Sequence, residues 1–190
     1  MEASRQPTQQ IDPVPPTEQI ELSDESGQIG EQYLRFRLYP KTLALLPIQY
    51  LAEIATVEYS AVVPVPGMPA WVSGIYNWRG TILWIVDLGY LLGLTPWQDQ
   101  PTITDTHSIA ILRSPDGSGK VPLNVGAIVQ KVEDIDFYDS DSVDSSEATT
   151  VSSQMASFLQ GLLPDPQTDE SLSVLNGAAI FEHLSQEAIN

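Results

Sequence analysis

The chain of 190 residues contains no cysteine, which removes disulfides, thiolate metal sites and cysteine nucleophiles together. Histidine is nearly absent too: His107 opens a strand pattern and His183 sits in a terminal helix pattern, neither with companions at metal-ligand spacing. Both read as ordinary surface or core-edge residues. Basic residues are scarce, eight against 25 acids, for a net charge of −17. Such a field repels phosphate backbones, so nucleic acid and anionic lipid are poor partners and a basic protein surface a natural one. No stretch runs 18 apolar residues without interruption, and the N-terminus has no apolar core of a secretion signal. The expectation is a cytoplasmic protein with no direct membrane insertion.

What is present is unevenly spread. Residues 1–30 hold six acids and one base, and residues 132–190 hold twelve acids and no base, while residues 31–131 hold seven of each. The first 30 residues are rich in Pro, Gln, Ser and acids, without a consistent apolar period. They read as a disordered tail. From Tyr33 the pattern changes: YLRFRL alternates apolar and basic residues with period two, as in a half-buried strand, YPKT turns, and LALLPI returns, making a hairpin. In QYLAEIATVE the residues Leu51, Ile54 and Val57 have a spacing that fits strand and helix equally, and VVPVPGMP is an extended connection. GIYNW and TILWIV are two strands turning at Arg79-Gly80. Asp87 is placed to cap a short helix, LGYLL, that Gly93 ends.

The second half repeats this order. HSIAILR, a turn at SPDGSG and KVPLNV form a hairpin, and AIVQKVEDI corresponds to YLAEIATVE. A Ser- and acid-rich stretch, residues 136–153, reads as an exposed loop. FLQGLL and SLSVL then form a strand pair, followed by Asn176 and a helix AAIFEHL. Gly161 matches Gly74, and Asn176 matches Asp87 as the cap. Two strand-rich copies of one plan predict two small barrels related by a pseudo-twofold axis.

No catalytic set emerges. DGSGK at 116–120 lacks the glycine spacing and following hydroxyl of a phosphate loop and reads as a hairpin turn. The acidic run from Asp136 to Glu147 has Asp141 where a calcium loop turns on glycine. IVDLG has Leu88 where an aspartic protease needs a hydroxyl, and the second copy offers Asn176 in place of a second carboxylate. The chain reads as a binding module without metal, cofactor or enzymatic activity.

YLRFRL, LALLPIQYLAEI and VVPVPGMPAWVSGIYNWRGTILWIVDLGYLLGL, with the repeat through FLQGLL, resemble the CheW-like adaptor proteins of bacterial chemosensory arrays over about residues 31–187. The most specific part runs from Pro66 to Leu88: proline, apolar-x-x-Gly, Asn-x-Arg-Gly, an apolar strand, then Asp-Leu. The resemblance implies a mainly β domain of two intertwined, SH3-like five-stranded β-barrels with short helices. It further implies a non-catalytic adaptor that binds the regulatory domain of a CheA-type histidine kinase and the cytoplasmic tip of a methyl-accepting chemoreceptor, in arrays at the membrane. Chemotaxis, pilus-driven motility and phototaxis are all compatible with it. The family's receptor groove carries over to Leu51, Glu53 and Ile54 of the LAEI strand, to Gly74, and to Asn77, Trp78, Arg79 and Gly80 of the turn. Asp87, Gly161 and Asn176 are structural. Glu53 and Arg79 match an acid–arginine pair of the family, for which the guanidinium fork is suited. Trp78 stands where the family usually has an aliphatic residue, and Gly126 where many members have Asp. The alternative is a free-standing β-barrel peptide-binding or assembly module without kinase coupling.

Overall fold

The computed structural model describes residues 30–101, 105–114, 124–146, 151–165, 168 and 170–187. The predicted tail, apart from Gly30, lies outside these residues, as do residues 115–119 of the SPDGSG turn, 120–123 of KVPLNV and 147–150 of the acidic loop. The elements are β1 (Glu31–Leu38), β2 (Thr42–Pro47), β3 (Leu51–Glu58), β4 (Val72–Trp78), β5 (Thr81–Asp87) and α1 (Leu88–Leu91) in the first copy. The second copy has β6 (Thr106–Arg113), β7 (Asn124–Val129), β8 (Lys131–Tyr138), α2 (Ser153–Ala156), β9 (Leu159–Pro164), β10 (Ser171–Leu175) and α3 (Gly177–Glu187).

These strands form two five-stranded sheets, ordered β8-β1-β2-β10-β9 and β3-β6-β7-β5-β4. Replacing β1, β2, β8, β9 and β10 by β6, β7, β3, β4 and β5 converts one order into the other. Each barrel is therefore built from both copies: the first sheet takes its leading hairpin from the first copy and the rest from the second. The copies join at four pairings, two parallel (β10 with β2, β5 with β7) and two antiparallel (β1 with β8, β3 with β6), and the pairings within each copy are antiparallel.

Burial on both faces explains why several strands are continuous apolar runs rather than alternating ones. In β2, Leu43 and Leu45 fill the first barrel while Ala44 and Leu46 enter a core shared by the two barrels. In β6, Ile109 and Ile111 fill the second barrel while Ala110 and Leu112 face the shared core. Leu88 and Leu91 of α1 and Ile180 and Leu184 of α3 close that shared core.

Three sequence expectations change. YLRFRL does alternate, with Leu34, Phe36 and Leu38 in the shared core, but its basic face is not a solvent face. Arg35 is buried, donating from Nε to Glu133, from Nη1 to the Tyr138 hydroxyl and from Nη2 to Asp165. The predicted loop from residue 136 starts later, because β8 continues through the buried Tyr138. At its far end Ser152 accepts from the Met155 amide and caps the short α2, a helix the composition conceals. Finally, the terminal helix spans eleven residues, longer than the apolar pattern AAIFEHL.

Candidate functional site

The β4–β5 hairpin turns through two residues with positive φ, Arg79 at 53° and Gly80 at 82°. This is the sign pattern of a type I′ turn, whose twist suits a two-residue hairpin. Glycine adopts it freely, whereas a left-handed conformation costs an L-residue roughly 1–2 kcal/mol. Two side chains hold the turn in place: Asn77 Oδ1 accepts from the Gly80 amide at 3.0 Å, and Thr81 Oγ1 donates to the Trp78 carbonyl at 2.8 Å.

Glu53 arrives from β3, at the opposite edge of the same sheet. A bulge at Ala52 shifts the β3–β6 register between Leu51 and Glu53. This extra residue resolves the ambiguous spacing of Leu51, Ile54 and Val57. Leu51 packs against the shared core, and past the bulge Ile54 pairs with Ala110 of that same core, while Val57 enters the second barrel. Glu53 follows the barrel side of the strand and meets Arg79, whose Nη2 lies 2.9 Å from Oε1 and 2.8 Å from Oε2. One nitrogen thus contacts both oxygens, and the two-nitrogen fork expected for this pair does not form. The Arg79 side chain is 69% exposed and that of Glu53 34%, so the pair is worth at most about 1 kcal/mol. The Arg79 guanidinium carbon also lies 5.2 Å from the Trp78 ring centroid, and the indole packs in turn against the core of the second barrel.

The expected site residues are therefore divided. Glu53, Trp78 and Arg79 touch, with Asn77 and Gly80 shaping the turn. Ile54, 42% exposed, projects to the other face of β3. Gly74 is buried at a bulge in β4, where a Cβ would stand 2.3 Å from the Val63 carbonyl oxygen, so it contributes close backbone packing rather than an exposed contact. Gly161 repeats this device in the other barrel, 2.6 Å from the Asp144 carbonyl oxygen. Gly126 faces Ile85 and Ile109 inside the second barrel, an apolar place with no room for a carboxylate.

Asp87 is buried and accepts from the amides of Tyr90 at 3.0 Å and Trp97 at 2.8 Å. Burial raises its carboxyl above the usual value, opposed by these backbone donors. Asn176 caps α3 by accepting from the Ala179 amide. His107 packs edge-on against Trp97 and Tyr59, and burial lowers its proton affinity. His183 lies between Trp71 and Phe158. Among the described residues, no three His, Asp or Glu side chains gather as a metal site, and no helix is long and apolar enough to cross a membrane.

A comparison with curated proteins finds no match. Among solved structures, the chain is similar to the scaffolding protein TtCheW from Thermoanaerobacter tengcongensis, with 19% identity and a TM-score of 0.60 over 78% of this chain and 90% of that one. At that identity the likeness establishes the fold, two SH3-like barrels. The model of the CheW-like domain matches residues 32–185, most of the chain. The duplicated, strand-exchanged barrels are thus those of a family, and this chain belongs to it: it is a member of the CheW-like domain family.

Proposed function

We propose that this chain is a non-catalytic adaptor that couples a methyl-accepting chemoreceptor to a CheA-type histidine kinase in a chemosensory array on the cytoplasmic side of the membrane. Family membership supports the scaffold role, as does the similarity to a protein described as a scaffolding protein. The observation that carries the reading is Arg79. It occupies a strained left-handed position that glycine or asparagine would fill more easily, it is largely exposed, and it is nonetheless held by Glu53. Strain of this kind persists where the surroundings over-determine it, and it concentrates at functional sites. Arg79 supplies orientation for a helical partner, and the exposed Ile54 supplies apolar contact where that partner reaches across the edge of β3 to its other face, on which Leu51 also lies.

Calorimetry of the full chain with the regulatory domain of the kinase and the receptor-tip fragment from the same organism tests this. Both bind, on separable surfaces, and Arg79→Ala weakens the receptor fragment while leaving the kinase domain. Arg79→Glu does more harm, and adding Glu53→Arg recovers part of it. Absence of both interactions at high micromolar concentration overturns the adaptor reading, and receptor binding without kinase binding favours a free-standing assembly module.

A further inference from the structure

We infer that Trp78 is a positioning residue that fixes the Arg79 guanidinium against Glu53, so that the remaining edge of Arg79 selects a partner surface carrying a carboxylate. This rests on reading the Glu53–Arg79 pair as partner-facing. The backbone of Arg79 is already set by the turn, with Asn77 and Thr81 fastening it on either side. A long arginine side chain would still sample many rotamers in solvent, and an exposed ion pair alone holds it weakly. Trp78 changes this. Its ring lies 5.2 Å from the guanidinium carbon, and the half-buried indole is itself packed against the interior of the second barrel, which restricts its movement. Arg79 is then held at two points, its guanidinium carbon over the indole ring and Nη2 on Glu53.

Among the described residues, Nε and Nη1 of Arg79 have no protein acceptor. Nη2 carries a second hydrogen not needed by Glu53, and with whichever of Nε and Nη1 lies on that side it forms the planar edge that matches a carboxylate with two parallel hydrogen bonds. The rest of the chain, at net charge −17, repels acidic partners, so a carboxylate that meets this edge is recognised against an unfavourable field and only in register. An aliphatic residue at position 78 would leave the ion pair possible but the guanidinium free to swing.

The test uses the full chain, labelled with ¹⁵N-arginine, as wild type, Trp78→Leu and Trp78→Phe. The Arg79 Nε–H resonance carries a ring-current shift in wild type, retains it in part in Trp78→Phe, and loses it in Trp78→Leu. An Arg79 resonance unchanged in Trp78→Leu overturns the positioning role, whatever the partner. In a second arm, a receptor-tip fragment binds Trp78→Leu about twofold to fivefold more weakly than wild type, and Trp78→Phe nearly as well as wild type. A fragment whose exposed glutamates are changed to glutamine loses the distinction between wild type and Arg79→Gln. Equal binding of the original and neutralised fragments to wild type overturns the carboxylate specificity. If no fragment binds, the adaptor reading and the partner half of the inference fail together, and the resonance alone decides the role of Trp78.

Discussion

Asp87 and Asn176 occupy equivalent positions in the two copies, yet they are not interchangeable. Asn176 caps its helix through one carbonyl oxygen that accepts from Ala179, a task either residue performs. Asp87 accepts two amide protons with two oxygens, and an asparagine there would turn its NH₂ toward one of those donors. Asp87→Asn is therefore expected to destabilise by about 1–3 kcal/mol, and Asn176→Asp by less than about 1 kcal/mol, in urea denaturation. The same reasoning applies to Arg35, whose partner Asp165 has a side chain with no exposed surface. Asp165→Ala leaves that guanidinium deprived of a buried partner, with an expected loss of roughly 3–5 kcal/mol. Glu133 gives this network a pH dependence. Burial on its own raises its carboxyl, but hydrogen bonds from Arg35 and Arg37 outweigh burial and hold it below the usual value of 4.5. Its contribution is complete above the ordinary glutamate range and is lost as pH falls through the lowered folded value. Thermal melts of wild type and Glu133→Gln should thus converge on acidification below about pH 4; curves that stay parallel would show that the network adds no pH-dependent stability.

At the level of elements, the two bulged strands β4 and β9 show how one backbone device serves both barrels. Each bulge leads into a glycine, and each glycine admits a loop that pairs with the next residue: Val63 with Ile75, and Asp144 with Leu162. The paired loops cover strand edges that would otherwise expose backbone donors. A methyl group at either glycine meets carbonyl oxygen, at 2.3 Å for Gly74 and 2.6 Å for Gly161. Gly74→Ala and Gly161→Ala should each cost about 1–3 kcal/mol, with Gly74→Ala the worse because its φ of 146° is also unfavourable for alanine. Hydrogen exchange should show the loss first at Ile75 or Leu162, whose amides donate to the loop carbonyls. The Gly74–Gly161 match is legible in the sequence, because both glycines stand at the same place in repeated strand pairs. The bulge at Ala52 is not. It has no residue signature, and it decides that Glu53 faces the Arg79 turn while Leu51 and Ile54 face away from it.

Across the whole molecule, the exchange of strands makes the two copies mutually dependent. The second barrel needs β3, β4 and β5 from the first copy and β6 and β7 from the second, and the shared core joins residues of both sheets and both major helices. Neither half of the sequence contains a closed barrel or a complete core. Residues 1–104 and 105–190 expressed separately should therefore remain unfolded by circular dichroism, and the full chain should unfold in one cooperative transition. A native-like spectrum from either half alone would contradict this interdependence. The barrels are also fastened differently. In the first, Asp165, just after β9, reaches Arg35 and through it Glu133 on edge strand β8, all largely buried; in the second, Arg79 reaches Glu53 on edge strand β3 in the open. The network of the first barrel is buried, while the pair of the second is exposed and adds at most about 1 kcal/mol to it.

The sequence by itself determines the local elements: period-two hairpins, the Arg79-Gly80 turn, the caps at Asp87 and Asn176, and the duplication that sets two barrels of one plan. These depend on residues within a few positions of one another, so backbone preference and side-chain spacing suffice to read them. Tertiary structure alone decides which hairpin enters which barrel, that the Arg35 face of β1 is buried, and that Glu53 reaches Arg79. Those outcomes depend on contacts between residues far apart in the chain. Arg35 meets Glu133 and Asp165 across roughly a hundred positions or more, and Glu53 meets Arg79 across 26. No local pattern encodes such meetings, because they exist only once the second copy has supplied the strands that complete each barrel begun by the first.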